Sequence, residues 1–111
     1  MTLKAEKLWL TRAKAKERVI ALSAESARTA KIVWTEHIQE RMSARGIDSD
    51  AVLRILRQGD IADDPCEGKD LGDWKIKLTL RLPTGRVAGV VCVITRDNHL
   101  VLTTAEWEDQ Q

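Results

Sequence analysis

His37, Arg41 and Arg45 recur at every fourth position in the stretch WTEHIQERMSARGID, residues 34–48. On a helix such positions fall within roughly 80° of one another and form one row. The residue types suit phosphate chemistry. Imidazole titrates close to neutrality and can take or give a proton, and guanidinium grips phosphate oxygens through a planar, two-pronged fork. The same spacing also fits the solvated flank of a helix that buries Ile38 and Met42, with Arg41 paired to a carboxylate and Arg45 bonded to carbonyls near the helix end.

Two short helices must position that row. Lys31-Ile32-Val33-Trp34 is β-branched and aromatic and reads as a strand. Thr35 can cap the helix that follows, Glu36 suits its positive first turn, and Gly46 supplies the left-handed residue that ends it, with Ile47 as the apolar contact beyond. Asp48 is a second N-cap, Val52, Ile55 and Leu56 make a buried stripe, and Gly59 closes the second helix. The short connection predicts a packed helical hairpin. Ahead of it, residues 2–30 lack Gly and Pro and are rich in Ala, Lys, Glu and Leu, which predicts a long helix. Leu8, Trp9, Val19 and Ile20 share one side of it with Arg12 and Lys16. Such a helix lies across its own domain with long side chains snorkelling, breaks near Leu22-Ser23, or docks on a partner.

The C-terminal half is built of strands. Residues 60–73 carry six acids against one lysine, with Pro65, Gly68 and Gly72, and read as a solvated, mobile acidic loop. Their spacing matches no calcium-loop pattern. From Trp74 to Leu82 the alternation is strict, so Lys75, Lys77, Thr79 and Arg81 share the polar face of a half-buried strand. A turn at Pro83-Thr84-Gly85, a central strand at Val87–Ile94, a turn at Asp97-Asn98 and a strand at His99–Thr104 complete a meander, and residues 105–111 read as a polar end. The expected fold is α+β: a helical extension over residues 1–30, then β-α-α-β-β-β over residues 31–111, with an antiparallel sheet covered by helices on one face.

Composition narrows the classes. The 111 residues carry a net charge of +1 and a charged share of 32%, an ordinary profile for one small domain. Residues 1–46 hold ten Lys/Arg against five Asp/Glu, and residues 47–111 hold eight against twelve, so the front half is basic. A basic region draws phosphate chains by releasing their counterions, but helices also need charged outer faces. No apolar run is long enough for a membrane helix, and the N-terminus lacks the pattern of a secretory signal. Cys66 and Cys92 are two, distant, and outside any CxxC spacing, which points to a reducing, cytoplasmic setting. With His37 and His99 they offer zinc-type ligands but no paired spacing, so neither a metal site nor another cofactor is expected.

A strand followed by T-E-H-x-x-x-R-M-x-x-R-G-I-D, a second helix ending in glycine and a closing meander resembles the DUF4258 family over residues 31–104. That family is similar to small toxins of the RelE/ParE and BrnT kind. The resemblance implies a toxin-like protein of a toxin–antitoxin or mobile-element system that binds RNA or a ribonucleoprotein and cleaves RNA without metal, with a protein antitoxin as partner. It makes His37 the candidate acid or base and Arg41 and Arg45 its cationic companions. Because basic sheet residues carry much of the RNA contact in RelE-like toxins, Lys75, Lys77, Arg81 and Arg86 are rival RNA-binding candidates. The other class of reading is a non-catalytic inhibitor or regulator that binds a protein through the 2–30 helix and the acidic loop.

Overall fold

Two hairpins hold the chain's apolar half together. The structure, a computed structural model, describes residues 9–29 and 31–108. The chain runs α1 (Arg12–Thr29), β1 (Ile32–Trp34), α2 (Glu36–Arg45), α3 (Ser49–Gln58), β2 (Asp60–Ile61), β3 (Cys66–Glu67), β4 (Trp74–Arg81), β5 (Val87–Ile94) and β6 (Leu100–Trp107). β4, β5 and β6 form the expected meander, turned by Gly85 (φ 95°) and Asn98 (φ 65°), both in the left-handed region that a tight reversal needs.

Three details of the sheet differ from expectation. It is mixed, because β1 pairs parallel with β6, Ile32 beside Leu100 and Trp34 beside Leu102. A strand that hands directly to a helix has no tight reversal to turn it antiparallel. The acidic segment contributes two short strands, β2 and β3, along the free edge of β4, so the strand order is β1-β6-β5-β4-β2 with β3 also on β4. Finally, β6 runs on to Trp107, where a polar end was expected.

All three helices lie on one side of the sheet. Ile76, Leu78, Ala88, Val90, Cys92, Ile94, Leu100, Leu102 and Ala105 point toward them and are buried with Ile38 of α2 and Val52, Ile55 and Leu56 of α3. The alternation of β4 thus sends Ile76 and Leu78 inward and leaves Lys75 and Arg81 exposed. Burial inside this core pushes the Cys92 thiol up to about 12, so it packs as a small apolar group.

The capping signals work as their chemistry demands. Thr35 Oγ1 accepts from the Ile38 N–H at 3.1 Å, Asp48 Oδ1 accepts from the Ala51 N–H at 2.8 Å, and Gly46 ends α2 at φ 68°. Gly59 serves for another reason. Its backbone is extended, but a Cβ there would lie 2.5 Å from the Ile55 carbonyl oxygen and 2.8 Å from that of Thr79. Glycine is what lets the end of α3 press against β4.

α1 packs on its own domain as one unbroken helix past Leu22-Ser23, its buried stripe being Ala15, Val19, Leu22 and Ser23. Ile20 is exposed, and Trp9, ahead of the helix, packs edge-on against Trp74 with centroids 5.6 Å apart. Residues 2–8 and 30 of the expected helix lie outside the described residues. The acidic segment is the helix's counterpart: Arg12 Nε bonds Asp64 at 2.8 Å and Lys16 Nζ meets Asp60 at 3.3 Å. Arg18 donates to the Asn98 side chain, and Arg57 of α3 donates to the Ser23 carbonyl.

Thr35 carries two bonds at once, since its hydroxyl also donates to the Leu102 carbonyl at 2.7 Å. Thr35→Ala should therefore lower unfolding stability by about 1–2 kcal/mol, while Thr35→Ser retains most of it. Gly59→Ala should also destabilise, because both clashing atoms are backbone. Urea denaturation of the three variants measures all of this.

Candidate functional site

The edge of β6 explains how α2 is held. β1 stops at Trp34, opposite Leu102, whereas β6 continues to Trp107, and among the described residues no strand covers that side of β6 further on. Carbonyls on an uncovered edge need donors. α2 runs along this edge and supplies one: Arg45 Nη1 donates to the Ala105 carbonyl at 2.8 Å. In return the Trp107 indole N–H donates at 2.7 Å to the Arg45 carbonyl, in the last turn of the helix, where carbonyls lack intrahelical partners.

A β-bulge decides which residues make this junction. The β5–β6 register shifts between Val91 and Cys92, where Thr104 opposes Val91 and Leu102 opposes Cys92, leaving Thr103 as the extra residue. Thr103 Oγ1 steadies the bulge by donating to the Val91 carbonyl at 2.9 Å. Beyond it the inward and outward positions exchange. Ala105 and Trp107 turn toward the helices, and Glu106 takes the outer face that unbroken alternation would have denied it.

Glu106 is reached there from two strands away. Lys77 of β4 lies across Gly89 of β5 and meets Glu106 at 3.1 Å and Glu108 at 2.9 Å. A Cβ at Gly89 would sit 2.6 Å from the Glu108 carboxylate and 3.2 Å from Lys77 Cε, so the missing side chain makes the crossing possible. The Lys77 hydrogen bond holds Glu106 below the usual carboxylate range against the opposing effect of partial burial, and the nearby Arg45 charge acts in the same direction. Partial burial pulls the Lys77 ammonium down, but its bonds to Glu108 and Glu106 outweigh this and raise it.

The row on α2 has an open side. His37 and Arg41 are exposed and Arg45 is half-buried, while Ile38 between them is sealed in the core. Arg41 Nε donates to His37 Nε2 at 3.4 Å, a contact that calls for the tautomer with its proton on Nδ1. Neither Arg41 nor Arg45 makes a carboxylate contact within ion-pair distance among the described residues, although Glu106 stands near Arg45. Along the helix axis His37 and Arg45 are about 12 Å apart.

The rival residues disperse. Lys75 is exposed on the outer face, Lys77 is held by its two carboxylates, and Arg81 folds back to donate to the Gly85 carbonyl of its own turn at 2.7 Å. Arg86 leaves that group altogether. Its guanidinium lies over the Trp107 ring, 3.9 Å from the centroid. Arg86 and Trp107, with Ala44, Arg45 and Glu106, line a cleft of about 620 Å³ at the C-terminal end of α2. The structure thus joins one residue of the α2 row to one of the rival group, around two residues that sequence reasoning left in a polar tail. The signal for Trp107 was present: an aromatic residue continuing an apolar strand beyond Ala105.

Elsewhere, His99 Nδ1 approaches Asp97 at 3.3 Å in the β5–β6 turn, and hydrogen bonds from Thr95 and then His99 hold the Asp97 carboxyl low. Among the described residues no group of three or more His, Cys, Asp or Glu is placed to hold a metal ion, and no helix is long and apolar enough to cross a membrane.

Fold and site together define a small α+β domain whose mixed sheet is roofed on one side and whose α2 rim ends in a cationic, tryptophan-walled cleft. Residues 34–107 match the family described as Domain of unknown function (DUF4258), and the chain belongs to that family. No curated protein and no solved structure matches it.

The Lys77 cluster makes stability depend on pH in a defined sense. Glu106 is depressed in the folded state, so its contribution is present above its ordinary value of 4.5 and is lost as pH falls through the lower folded value. Lys77 is raised, so its contribution is present below 10.5 and is lost as pH rises through the higher folded value. Urea midpoints measured against pH should fall on both limbs in the wild type. Both limbs should be shallower in Lys77→Met, and an unchanged acid limb would show that the pair contributes nothing.

Proposed function

We propose that this chain is a toxin-like protein of a toxin–antitoxin or mobile-element system, working in the cytoplasm, that binds RNA or a ribonucleoprotein along the rim formed by α2 and the end of β6. One observation carries the reading: Arg45 of α2 and Arg86 of the turn before β5 converge on Trp107 in an open polar cleft, and His37 and Arg41 continue the same row along α2. Guanidinium groups recognise phosphate oxygens, and a planar guanidinium seated on an indole suits stacking by an unpaired base. A row of about 12 Å is long enough to follow a ribose-phosphate chain beyond one phosphate.

Cleavage is the stronger form of the proposal. Strand scission through the 2′-hydroxyl needs a group that takes that proton, a group that protonates the leaving 5′-oxygen, and cations for the charged transition state. His37 takes the 2′-hydroxyl proton as that oxygen attacks phosphorus, water protonates the 5′-oxygen as its bond to phosphorus breaks, and Arg41 and Arg45 supply charge. RelE/BrnT-like kinship is part of this reading, as is a protein antitoxin that would cover the rim.

A competing reading, a non-catalytic inhibitor or regulator that binds a protein, draws on a different observation. The outer face of the sheet presents Val33, Val91, Val93 and Val101 in neighbouring register positions, each at least partly exposed. The surfaces expected for that role, the 2–30 helix and the acidic segment, are bridged by the exposed pairs Arg12–Asp64 and Lys16–Asp60.

Binding of a fluorescein-labelled single-stranded RNA, followed by anisotropy at several salt concentrations, tests the reading. The wild type should bind with an affinity that falls steeply with salt, and Arg41→Ala should lower the logarithmic salt slope by about 0.7, the share of one phosphate contact. His37→Ala should retain binding, abolish cleavage and relieve the growth arrest caused by expressing the chain alone in bacteria. Salt-insensitive behaviour or absence of binding, with growth unaffected at high expression, would favour the protein-binding reading.

A further inference from the structure

Resting on the RNA reading, we propose that the cleft at the end of α2 is a guanine-recognition subsite, with Glu106 and Arg45 reading the base edge and the Arg86 guanidinium, seated on Trp107, supplying the flat stacking surface. The cleft contains one feature that phosphate binding does not explain. Glu106 is a carboxylate among cations meant for an anion, and a chain that only gripped phosphate would be served better without it. Its place there is not incidental to folding. The bulge at Thr103 brings it to the outer face, and Lys77 reaches across Gly89 to hold one of its oxygens at 3.1 Å.

The chemistry of the four bases selects one. The pairing edge of guanine offers an acceptor, O6, followed by two adjacent donors, N1–H and the 2-amino group. A carboxylate accepts both donors at once, and a neighbouring guanidinium donates to O6. Adenine would set its N1 lone pair against the carboxylate. Cytosine does the same with N3, and uracil offers one donor between two carbonyls. Arg45 lines the cleft beside Glu106, and one of its nitrogens is occupied by the Ala105 carbonyl. A guanidinium has five N–H donors, so several remain for O6. Because Arg45 is fixed by that carbonyl bond and Glu106 by Lys77, the acceptor and donor sides of the subsite are set before a base arrives. The guanidinium of Arg86 is likewise seated on Trp107, 3.9 Å from its centroid, which gives a planar surface at the cleft for the base to stack against.

The test uses the full chain and four labelled RNA hexamers that are alike except for one central base, G, A, C or U, compared by anisotropy at one salt concentration. The wild type should bind the G hexamer roughly tenfold more tightly than the others, the order expected of a two-bond base contact. Glu106→Gln should erase that preference while leaving the A, C and U hexamers bound as well as before or better, since it removes a negative charge beside Arg45. Glu106→Asp, which keeps the charge but shortens the reach, should erase it too, so charge and geometry are separated. Equal binding of all four by the wild type, or a preference that survives Glu106→Gln, would overturn the guanine subsite while leaving RNA binding in place. Failure of the wild type to bind any hexamer would overturn both.

Discussion

The reciprocal stitch between the end of α2 and the end of β6 is the constraint on which the rest of the molecule depends. An edge strand longer than its neighbour leaves carbonyls without partners, and a helix end does the same. Here each solves the other's deficit: the Arg45 side chain serves the Ala105 carbonyl, and the Trp107 indole serves the Arg45 carbonyl. The direction of α2 follows, because its other end is tied by Thr35 to Leu102 of the same strand. With both ends fixed to β6, the row from His37 to Arg45 must lie along the sheet's rim, and Ile38 must enter the core. Arg45 is therefore a structural residue and a candidate site residue at once, which its five donors permit.

Charge is distributed by the same economy of contacts. Among the described residues, the basic front half does not form one cationic surface. Arg12 and Lys16 answer Asp60 and Asp64, and the basic face of β4 is partly neutralised where Lys77 meets Glu106 and Glu108. Near the α2 rim, His37 and Arg41 are exposed, and Arg45, Arg86 and Glu106 line one cleft. A net charge of +1 is thus an average that conceals a local distribution of unlike charges.

Glycine, threonine and asparagine carry much of the local instruction. Gly59 and Gly89 are small because backbone or side chains from neighbouring strands pass over them, whereas Gly46 is needed for its left-handed backbone. Only the last kind is legible in a sequence, since a helix that must stop announces itself, but a close approach from a distant strand does not. The caps at Thr35 and Asp48, the turns at Gly85 and Asn98, the alternation of β4 and the buried positions of α2 and α3 were all readable for that reason: each is set by residues within a few positions of one another.

The site divides along the same line. Sequence alone determined that His37, Arg41 and Arg45 share one helical face, because 3.6 residues per turn leave no choice. It also determined which side of β4 is wet, because strand alternation is equally local. Only the tertiary structure decided that β1 lies parallel to β6, that a bulge at Thr103 exchanges the faces of β6, and that Arg86 leaves the strand's cations to lie on Trp107 beside Arg45. Those outcomes rest on contacts between residues some 12 to 70 positions apart, and no period in the chain encodes which distant backbone will need a donor.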